Sequence, residues 1–230
     1  MRIYIVRHGD PDYENDTLTC LGQEEAKALA MSFEREGLDF IYSSPMGRAR
    51  QTMQYTADAL GMQAGVEEWT QELPEFKVEV GLQNIEAWNL HGEIIQDEML
   101  GIQAEAWMEL PWIKNNPNIA ERYEIVKKGS DDFLSRHGYV RMGGKYRIVK
   151  PNRDKIAVFC HAGFAMAWLS HLLGIPLPLI WSGFWLPSSS VTTVLFEERT
   201  DKFAVPRCLS VERQIEIRSN SRILSGEIAA

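Results

Sequence analysis

The hydrophobic and polar positions in the N-terminal part of the chain change from a strand-like to a helix-like period. Residues 2–6 are rich in β-branched and aromatic side chains, with Ile3 and Ile5 on one face, which predicts a strand. From residue 19 to about residue 36, apolar side chains recur at helical spacing: Ala26, Leu29, Ala30 and Phe33. The opposite face of this predicted amphipathic helix is polar, with Glu24, Glu25 and Lys27. Gly37 is typical of the residue that ends such a helix.

A second strand and helix follow. Residues 38–43 predict the strand, after which Ser44 supplies an N-cap and Pro45 the first helical residue. Later segments repeat the pattern: a strand over residues 155–160, a nearly all-apolar helix over 164–173 and a strand over 190–197. Strands separated by helices pair in parallel through right-handed crossovers, so the pattern predicts an α/β fold with a mostly parallel sheet.

The periodicity loosens between about residues 76 and 128, where prolines and tryptophans are scattered among helix-like segments. In α/β folds, segments over the ligand-binding end of the sheet usually hold the specificity loops. Residues 141–149 have the form of a hairpin that turns at Gly143 and Gly144. We therefore predict a single domain over residues 1–230 with a substrate-specificity insertion at about residues 76–150.

Composition excludes several classes of protein. Apolar residues make up 45% and charged residues 24% of the chain, as in an ordinary globular protein. A formal net charge of -8 argues against sequence-independent nucleic-acid binding, which needs clustered Lys and Arg. Residues 156–196 lack charged side chains, but prolines and serines divide them into pieces too short to span a bilayer. We expect no nucleic-acid or membrane partner, and the oligomeric state stays open.

The three cysteines, Cys20, Cys160 and Cys208, form neither a disulfide framework nor a zinc ribbon by their spacing. Reduced thiols are usual in the cytoplasm, so we expect a cytoplasmic protein.

Candidate chemistry begins with Arg7-His8-Gly9, which directly follows the first predicted strand. The carboxyl ends of strands are where open α/β sheets place their ligands. A second copy of the tripeptide, around His137, follows a predicted helical segment instead. His and Gly are ordinary residues at a helix C-terminus, so we interpret the second copy as structural.

Two further motifs lie at strand-to-helix junctions. Arg48 falls in the first turn of the second predicted helix, where its guanidinium and the free N–H groups could bind one anion. His161 follows the strand over residues 155–160 and precedes a small residue that opens a helix, as His8 does.

Together these motifs resemble the histidine phosphatase (phosphoglycerate mutase-like) superfamily. They are Arg-His-Gly near the start, Ser-Ser-Pro-x-x-Arg-Ala-x-Gln-Thr next and a late strand ending in His-x-Gly. The similarity covers roughly residues 1–75 and 150–200. It implies a three-layer α/β/α sandwich with an inserted cap region, and a covalent phosphohistidine intermediate.

The resemblance implies that His8 is the nucleophile and that Arg7, Arg48 and His161 hold the phosphoryl oxygens. A neutral imidazole nitrogen is a competent nucleophile when a hydrogen bond fixes the other nitrogen. Two guanidiniums can neutralise the charge of the transferring group. We therefore expect no metal and no cofactor.

The leaving alcohol needs a proton, and the resemblance implies a carboxylic acid shortly after the second motif. We favour Glu72, which follows Trp69 at a spacing found in one branch of the family, and keep Glu75 as the rival. Ser189 is a further candidate contact to the phosphate, although a loop serine with its hydroxyl satisfied elsewhere is an equal alternative.

The function implied is that of a phosphatase that hydrolyses small-molecule phosphomonoesters without a metal, similar to the histidine acid phosphatases. The substrate is the only partner expected. A phosphoglycerate-type mutase and a non-catalytic phosphoester-binding regulatory protein are the alternatives. Relatives commonly continue Arg-His-Gly with Glu-Thr or Gln-Thr, whereas this chain has Asp10-Pro11-Asp12, so that loop's substrate contacts are not carried over.

Overall fold

A computed structural model describes residues 1–80, 83–100 and 106–213. The strands are β1 (Arg2–Arg7), β2 (Pro11–Asp12), β3 (Thr17–Leu18), β4 (Phe40–Ser43), β5 (Ala64–Val66), β6 (Lys77–Val80), β7 (Gln83–Glu86), β8 (Tyr139–Met142), β9 (Lys145–Ile148), β10 (Lys155–Cys160), β11 (Ser190–Glu198) and β12 (Phe203–Arg213). The α-helices are α1 (Cys20–Glu36), α2 (Gly47–Leu60), α3 (Gly92–Met99), α4 (Pro111–Lys114), α5 (Pro117–Arg136), α6 (Ala162–Leu173) and α7 (Leu177–Gly183).

Eight strands form the central sheet in the order β5-β4-β10-β1-β11-β12-β9-β8. The first four strands in this order pair in parallel. The remaining strands pair antiparallel, so β12 and β8 run in the same direction as β1 while β11 and β9 run against it. The prediction of an α/β fold with a mostly parallel sheet is confirmed.

The central strand β1 is buried on both faces, which explains its unbroken apolar sequence. Ile3 and Ile5 pack with side chains of α5 and α6 on one side of the sheet. Tyr4 and Val6 pack with side chains of α1 and α2 on the other side. Successive residues of a strand face opposite sides, so these two cores give the three-layer α/β/α arrangement.

The start of α2 differs from the prediction. Ser44 was predicted as its N-cap and Pro45 as its first residue, but the helix begins at Gly47 with Met46 at the N-cap position. A carboxylate from another loop explains the change, because Asp16 Oδ2 accepts the Gly47 N–H at 2.6 Å. A distant acceptor therefore takes the capping role expected of Ser44.

The segment predicted as an insertion has two structural parts. β8 and β9 form a hairpin, as predicted for residues 141–149, and extend the main sheet from β12. α5 contacts α6 in one helical layer. β6 and β7 instead form a separate two-stranded hairpin, followed by α3 and α4. The division into one domain with an insertion stays a prediction.

None of the helices formed by the described residues is both long and apolar enough to cross a bilayer. The uncharged stretch over residues 156–196 lies largely in the buried core, as interpreted from the sequence.

Candidate active site

Three neighbouring parallel strands, β4, β10 and β1, end at one edge of the sheet. His8 follows β1 and His161 follows β10, and their ring centroids are 5.2 Å apart. Arg48, in the first turn of α2, places its Nε 3.2 Å from Nε2 of His8. The structure thus brings together two imidazoles and a guanidinium from three separate sequence motifs.

His8 is 1% exposed and has one defined tautomer. Its Nδ1 lies 2.7 Å from the Gly9 carbonyl oxygen, which can only accept, so Nδ1 carries the proton. The other ring nitrogen, Nε2, therefore presents its lone pair and accepts the N–H of Arg48. The pKa of His8 is lowered to about 3, first by burial and then by the charges of Arg7 and Arg48, which together outweigh the Gly9 carbonyl.

Arg48 is 6% exposed and has its charge balanced by a carboxylate. Its NH1 lies 2.5 Å from Oδ1 of Asp16, and its guanidinium stacks 5.5 Å from the ring centroid of Tyr13. The same side chain stands on the N-terminal turn of α2, where helix N–H groups favour anions. The guanidinium and the N-terminus of α2 therefore lie together near Nε2 of His8, with Asp16 bonded to both.

His161 is fully buried and bonds to the loop after β4. Its Nε2 lies 2.8 Å from Oγ of Ser44, the hydroxyl that the Asp16 cap leaves available. Its Nδ1 is buried without a hydrogen-bond partner among the described residues. The pKa of His161 lies well below its usual value because of burial, with His8, Arg48 and Arg7 contributing in the same direction.

Arg7 projects from the end of β1 and is held by one backbone contact. Its NH1 donates to the Leu186 carbonyl at 2.6 Å. Its Nε is buried without a partner among the described residues. A buried N–H donor that lacks an acceptor is costly unless a ligand supplies one.

Glu72 lies against the N-terminus of α6. Its Oε1 accepts the N–H groups of Phe164 at 2.9 Å and of Leu73 at 3.1 Å, while Oε2 lies 3.4 Å from the Gly163 nitrogen. Burial raises the pKa of Glu72 despite these N–H donors and the charge of Arg48. A carboxyl group with a raised pKa is suited to donate a proton near neutral pH.

Glu75, the rival proton donor, points elsewhere. Its Oε1 pairs with Nε of Arg122 at 3.4 Å. It does not line the cavity that Glu72 shares with Arg7 and Arg48. The geometry therefore favours Glu72 over Glu75.

A cavity of about 480 Å³ opens over this edge of the sheet. Its walls include the predicted site residues Arg7, Arg48 and Glu72. The other lining residues come from the loop after Gly9, the β6–β7 region, α6 and the segment before β11: Tyr13, Pro74, Lys77, Glu86, Trp88, Asn89, Ala162, Met166, Trp185 and Leu186. This volume is in the range of sites that bind small molecules.

Comparison with known proteins decides the family. The sequence model of the histidine phosphatase superfamily (branch 1) matches residues 3–207. The chain belongs to this superfamily. The resemblance seen in the motifs is confirmed, and the match also spans the segment from residue 76 to 150 that contributed nothing to the resemblance.

Two curated relatives come from Hydrogenobacter thermophilus. Putative phosphoserine phosphatase 2 is 37% identical over 190 residues, which is 79% of this chain and 83% of that protein. Phosphoserine phosphatase 1 is 24% identical over 213 residues, covering 86% of this chain and 88% of the relative. The expectation of a phosphatase is confirmed, and the chain is a phosphoric monoester hydrolase of the superfamily.

Solved structures share the fold. Phosphoserine phosphatase from Entamoeba histolytica in complex with 3-phosphoglyceric acid superposes with a TM-score of 0.62 at 20% identity, covering 93% of this chain and 99% of that one. Mycobacterial glucosyl-3-phosphoglycerate phosphatase gives a TM-score of 0.57 at 17% identity, covering 91% and 97%.

Ser189 does not face the cavity of this histidine phosphatase. Its hydroxyl donates to Oε2 of Glu25 at 2.9 Å, and its backbone N–H donates to the His8 carbonyl at 3.0 Å. Of the two alternatives taken from the sequence, the structure therefore favours a loop serine whose hydroxyl is hydrogen-bonded elsewhere over a contact to the phosphate. Ser189 supports the loop that holds His8, and we leave it out of the proposed substrate contacts.

Glu25 was predicted on the polar face of α1, and that prediction is wrong because the side chain is fully buried. Its Oε2 accepts the N–H of Asp10 at 2.9 Å in addition to the Ser189 hydroxyl, and Oε1 accepts from NH2 of Arg213 at 2.6 Å. These donors compensate for the loss of water. The buried carboxylate thereby ties the loop after His8 to the start of β11 and the end of β12.

Asp16 is a site residue that sequence reasoning missed. It adopts a left-handed backbone conformation with φ of 50° in the turn between β2 and β3. Burial opposes its ionisation, but the N–H donors of Gly47 and Arg48 outweigh that effect and lower the pKa of Asp16. Its partners are about thirty residues away in sequence, so no local pattern could have revealed it.

Replacing Asp16 with alanine should lower kcat/KM roughly tenfold, because Arg48 loses its charged hydrogen-bond partner and α2 its capping acceptor. The free energy of unfolding should fall by about 1 kcal/mol. Steady-state kinetics with an aryl phosphate and urea denaturation measure the two effects. Glu14→Ala, an exposed change in the same loop, is the control. Equal kinetics for both variants would show that Asp16 does not position Arg48.

The buried histidines should make the protein less stable in acid. His8 has a folded pKa of about 3 against 6.5 for an ordinary histidine, and the pKa of His161 is also lowered. Between these values the unfolded chain binds more protons than the native state, so the free energy of unfolding falls as pH drops from 6.5 toward 3. Each group contributes up to about 1.4 kcal/mol per pH unit.

Urea denaturation at several pH values tests this dependence. His8→Ala should flatten the slope of unfolding free energy against pH, because the variant lacks one of the buried histidines whose pKa is lowered, which also include His137, His161 and His171. His91→Ala, at an exposed position, should leave the slope unchanged. A slope that is the same in wild type and His8→Ala would contradict the assigned protonation state.

Proposed function

We propose that this histidine phosphatase hydrolyses small-molecule phosphomonoesters through a phosphohistidine intermediate on Nε2 of His8. The observation that carries the proposal is the fixed tautomer of His8: Nδ1 is held by the Gly9 carbonyl, and Nε2 presents its lone pair beside Arg48. With a pKa of about 3, the ring is neutral and nucleophilic at physiological pH.

In the first step, Nε2 of His8 attacks phosphorus while the bond to the leaving oxygen breaks. Glu72, whose pKa burial raises, gives a proton to that oxygen in its acid form, so the alcohol leaves neutral. Arg7 and Arg48 neutralise the phosphoryl oxygens. Nε of Arg7 has no acceptor among the described residues and can donate to these oxygens, and Nδ1 of His161 can do so in the tautomer that carries the proton on that nitrogen.

In the second step, water attacks the phosphorus of phospho-His8. Glu72, now a carboxylate, takes a proton from this water as the P–N bond breaks. Inorganic phosphate leaves, His8 returns to its neutral form, and Glu72 is protonated again for the next cycle. The same carboxyl group thus serves as acid and then as base.

The cavity supports a small substrate, since about 480 Å³ holds a metabolite rather than a polymer. Solved relatives are complexes with phosphoserine and with 3-phosphoglyceric acid, which are small phosphoesters. We also propose a cytoplasmic location. Its support is that Cys20, Cys160 and Cys208 are all unpaired thiols.

The test is hydrolysis of p-nitrophenyl phosphate in the presence of EDTA, followed by trapping of the intermediate. A burst of p-nitrophenol and an alkali-stable phosphoryl group mapped by mass spectrometry to the peptide containing His8 are expected. Turnover with the phosphoryl group on another residue would refute the proposal. Product analysis with phosphoglycerates separates it from a mutase, which would return the phosphoryl group to the substrate.

A further inference from the structure

One wall of the cavity carries both signs of charge on a single hairpin. Lys77, from β6, and Glu86, from β7, both line the cavity. They are directly opposite each other in the antiparallel pair, so their side chains leave the same face of the hairpin with Cβ atoms about 5 Å apart. The next pair, Val78 and Ile85, packs against the core from the other face.

The two charged groups do not neutralise each other. No ion pair within 4 Å joins Lys77 to Glu86 or to any other residue in the described part of the chain. Glu86 Oε2 accepts one hydrogen bond, from Nδ2 of Asn89 at 3.3 Å, and Oε1 accepts none from the described residues. An ammonium and a carboxylate are therefore both presented to the cavity.

This hairpin is docked against the proton donor. Trp88 packs so closely on the first turn of α6 that a Cβ at Gly163 would lie 2.4 Å from its ring and 2.8 Å from Oε1 of Glu72. The base of the hairpin is closed by the Ala87 N–H, which donates to the Phe76 carbonyl at 2.7 Å. These contacts fix the positions of Lys77 and Glu86 relative to Glu72.

We propose that Lys77 and Glu86 form the subsite for the organic part of the substrate, and that this part is zwitterionic, as in a phosphorylated amino acid. Lys77 would take the carboxylate and Glu86 the ammonium group. The inference rests on the proposed function, because it places the phosphoryl group of the same molecule beside His8.

Charge complementarity sets the selectivity. A substrate with a carboxylate alone leaves Glu86 without a partner and brings a second negative group near it. A substrate with an ammonium alone repels Lys77 in the same way. Only a molecule with both groups satisfies both side chains, and a charged hydrogen bond left unmade in a partly buried site costs about tenfold or more in kcat/KM.

Four compounds separate the contributions of the carboxylate and of the ammonium group to kcat/KM. O-phosphoserine carries both groups, 3-phosphoglycerate only a carboxylate, phosphoethanolamine only an ammonium, and p-nitrophenyl phosphate neither. Wild type should prefer O-phosphoserine by about tenfold or more in kcat/KM over each compound with a single charged group.

Two variants and two controls test which side chain binds the carboxylate of the substrate and which binds the ammonium group. Lys77→Met should lower kcat/KM about tenfold for O-phosphoserine and 3-phosphoglycerate and leave phosphoethanolamine unaffected or improved. Glu86→Gln should lower kcat/KM for O-phosphoserine and phosphoethanolamine only. Glu79→Gln, on the same hairpin but outside the cavity, and the exposed Lys128→Met should change none of these values.

The outcomes distinguish the two proposals. Normal turnover of p-nitrophenyl phosphate without any preference among the other three compounds overturns the zwitterion subsite and leaves the proposed chemistry intact. A uniform loss in Lys77→Met or Glu86→Gln, including p-nitrophenyl phosphate, overturns it as well. If p-nitrophenyl phosphate is not hydrolysed, the proposed function fails, and calorimetric binding of the same compounds to the same variants still decides the subsite.

Discussion

His8→Ala should lose turnover of p-nitrophenyl phosphate by roughly 10⁴-fold or more in kcat, because it removes Nε2, the proposed acceptor of the phosphoryl group. The variant would still bind phosphate through Arg7, Arg48 and His161. Inorganic phosphate should therefore still raise its melting temperature. The measurements are steady-state kinetics at high enzyme concentration and thermal denaturation with and without phosphate.

The second Arg-His-Gly tripeptide provides a matched control. His137 is buried at the end of α5, with Nε2 3.1 Å from the Tyr42 hydroxyl and its ring against Phe133. His137→Ala should lower the free energy of unfolding by about 1–3 kcal/mol while kcat stays within a factor of about two. Comparable kinetic losses in His8→Ala and His137→Ala would mean that His8 acts through stability and is not the nucleophile.

Glu72→Gln should lower kcat by about 10²–10³-fold for an alkyl phosphate, because the leaving alkoxide then departs without a proton. The loss should be smaller for p-nitrophenyl phosphate, whose leaving group is a weak base. In wild type, kcat for the alkyl phosphate should fall as pH rises through the raised pKa of Glu72, since the acid form is lost. This decrease of kcat at high pH, the alkaline limb of the pH profile, should be absent from Glu72→Gln.

Glu75→Gln is the control, because it changes the rival carboxylate in the same segment. Its side chain pairs with Arg122 outside the cavity, so the variant should keep the wild-type dependence on leaving group and on pH. An alkaline limb that disappears in Glu75→Gln and survives in Glu72→Gln would reverse the assignment.

The strand-end motifs could be read from sequence because each one is local. His8 and His161 each follow a run of apolar residues that only a buried strand explains, and Arg48 follows a strand in the first turn of a helix. Parallel pairing then brings three such ends to one edge without any knowledge of side-chain contacts. The rule does not extend to β11, which follows α6 and α7 and yet pairs antiparallel with β1, or to β12, β9 and β8, which also pair antiparallel.

The errors at the site share one cause, which is contact between residues distant in sequence. Asp16 supplies the cap that Ser44 was expected to supply, and Ser44 is thereby available to His161. Glu25 looks like a surface residue by helical spacing, but donors from three other segments make its burial possible. Ser189 turns to this carboxylate and not to the cavity. None of these contacts leaves a periodic signal.

The position of β1 between β10 and β11 also bears on synthesis. β1 is synthesised long before the two strands that pair with it, at residues 155–160 and 190–198. Pairing across such sequence separations is slow, and the waiting strand exposes edges that other chains can join. We therefore expect a nascent chain that stops before β11 to be inactive, because β1 then lacks one of the two strands that pair with it.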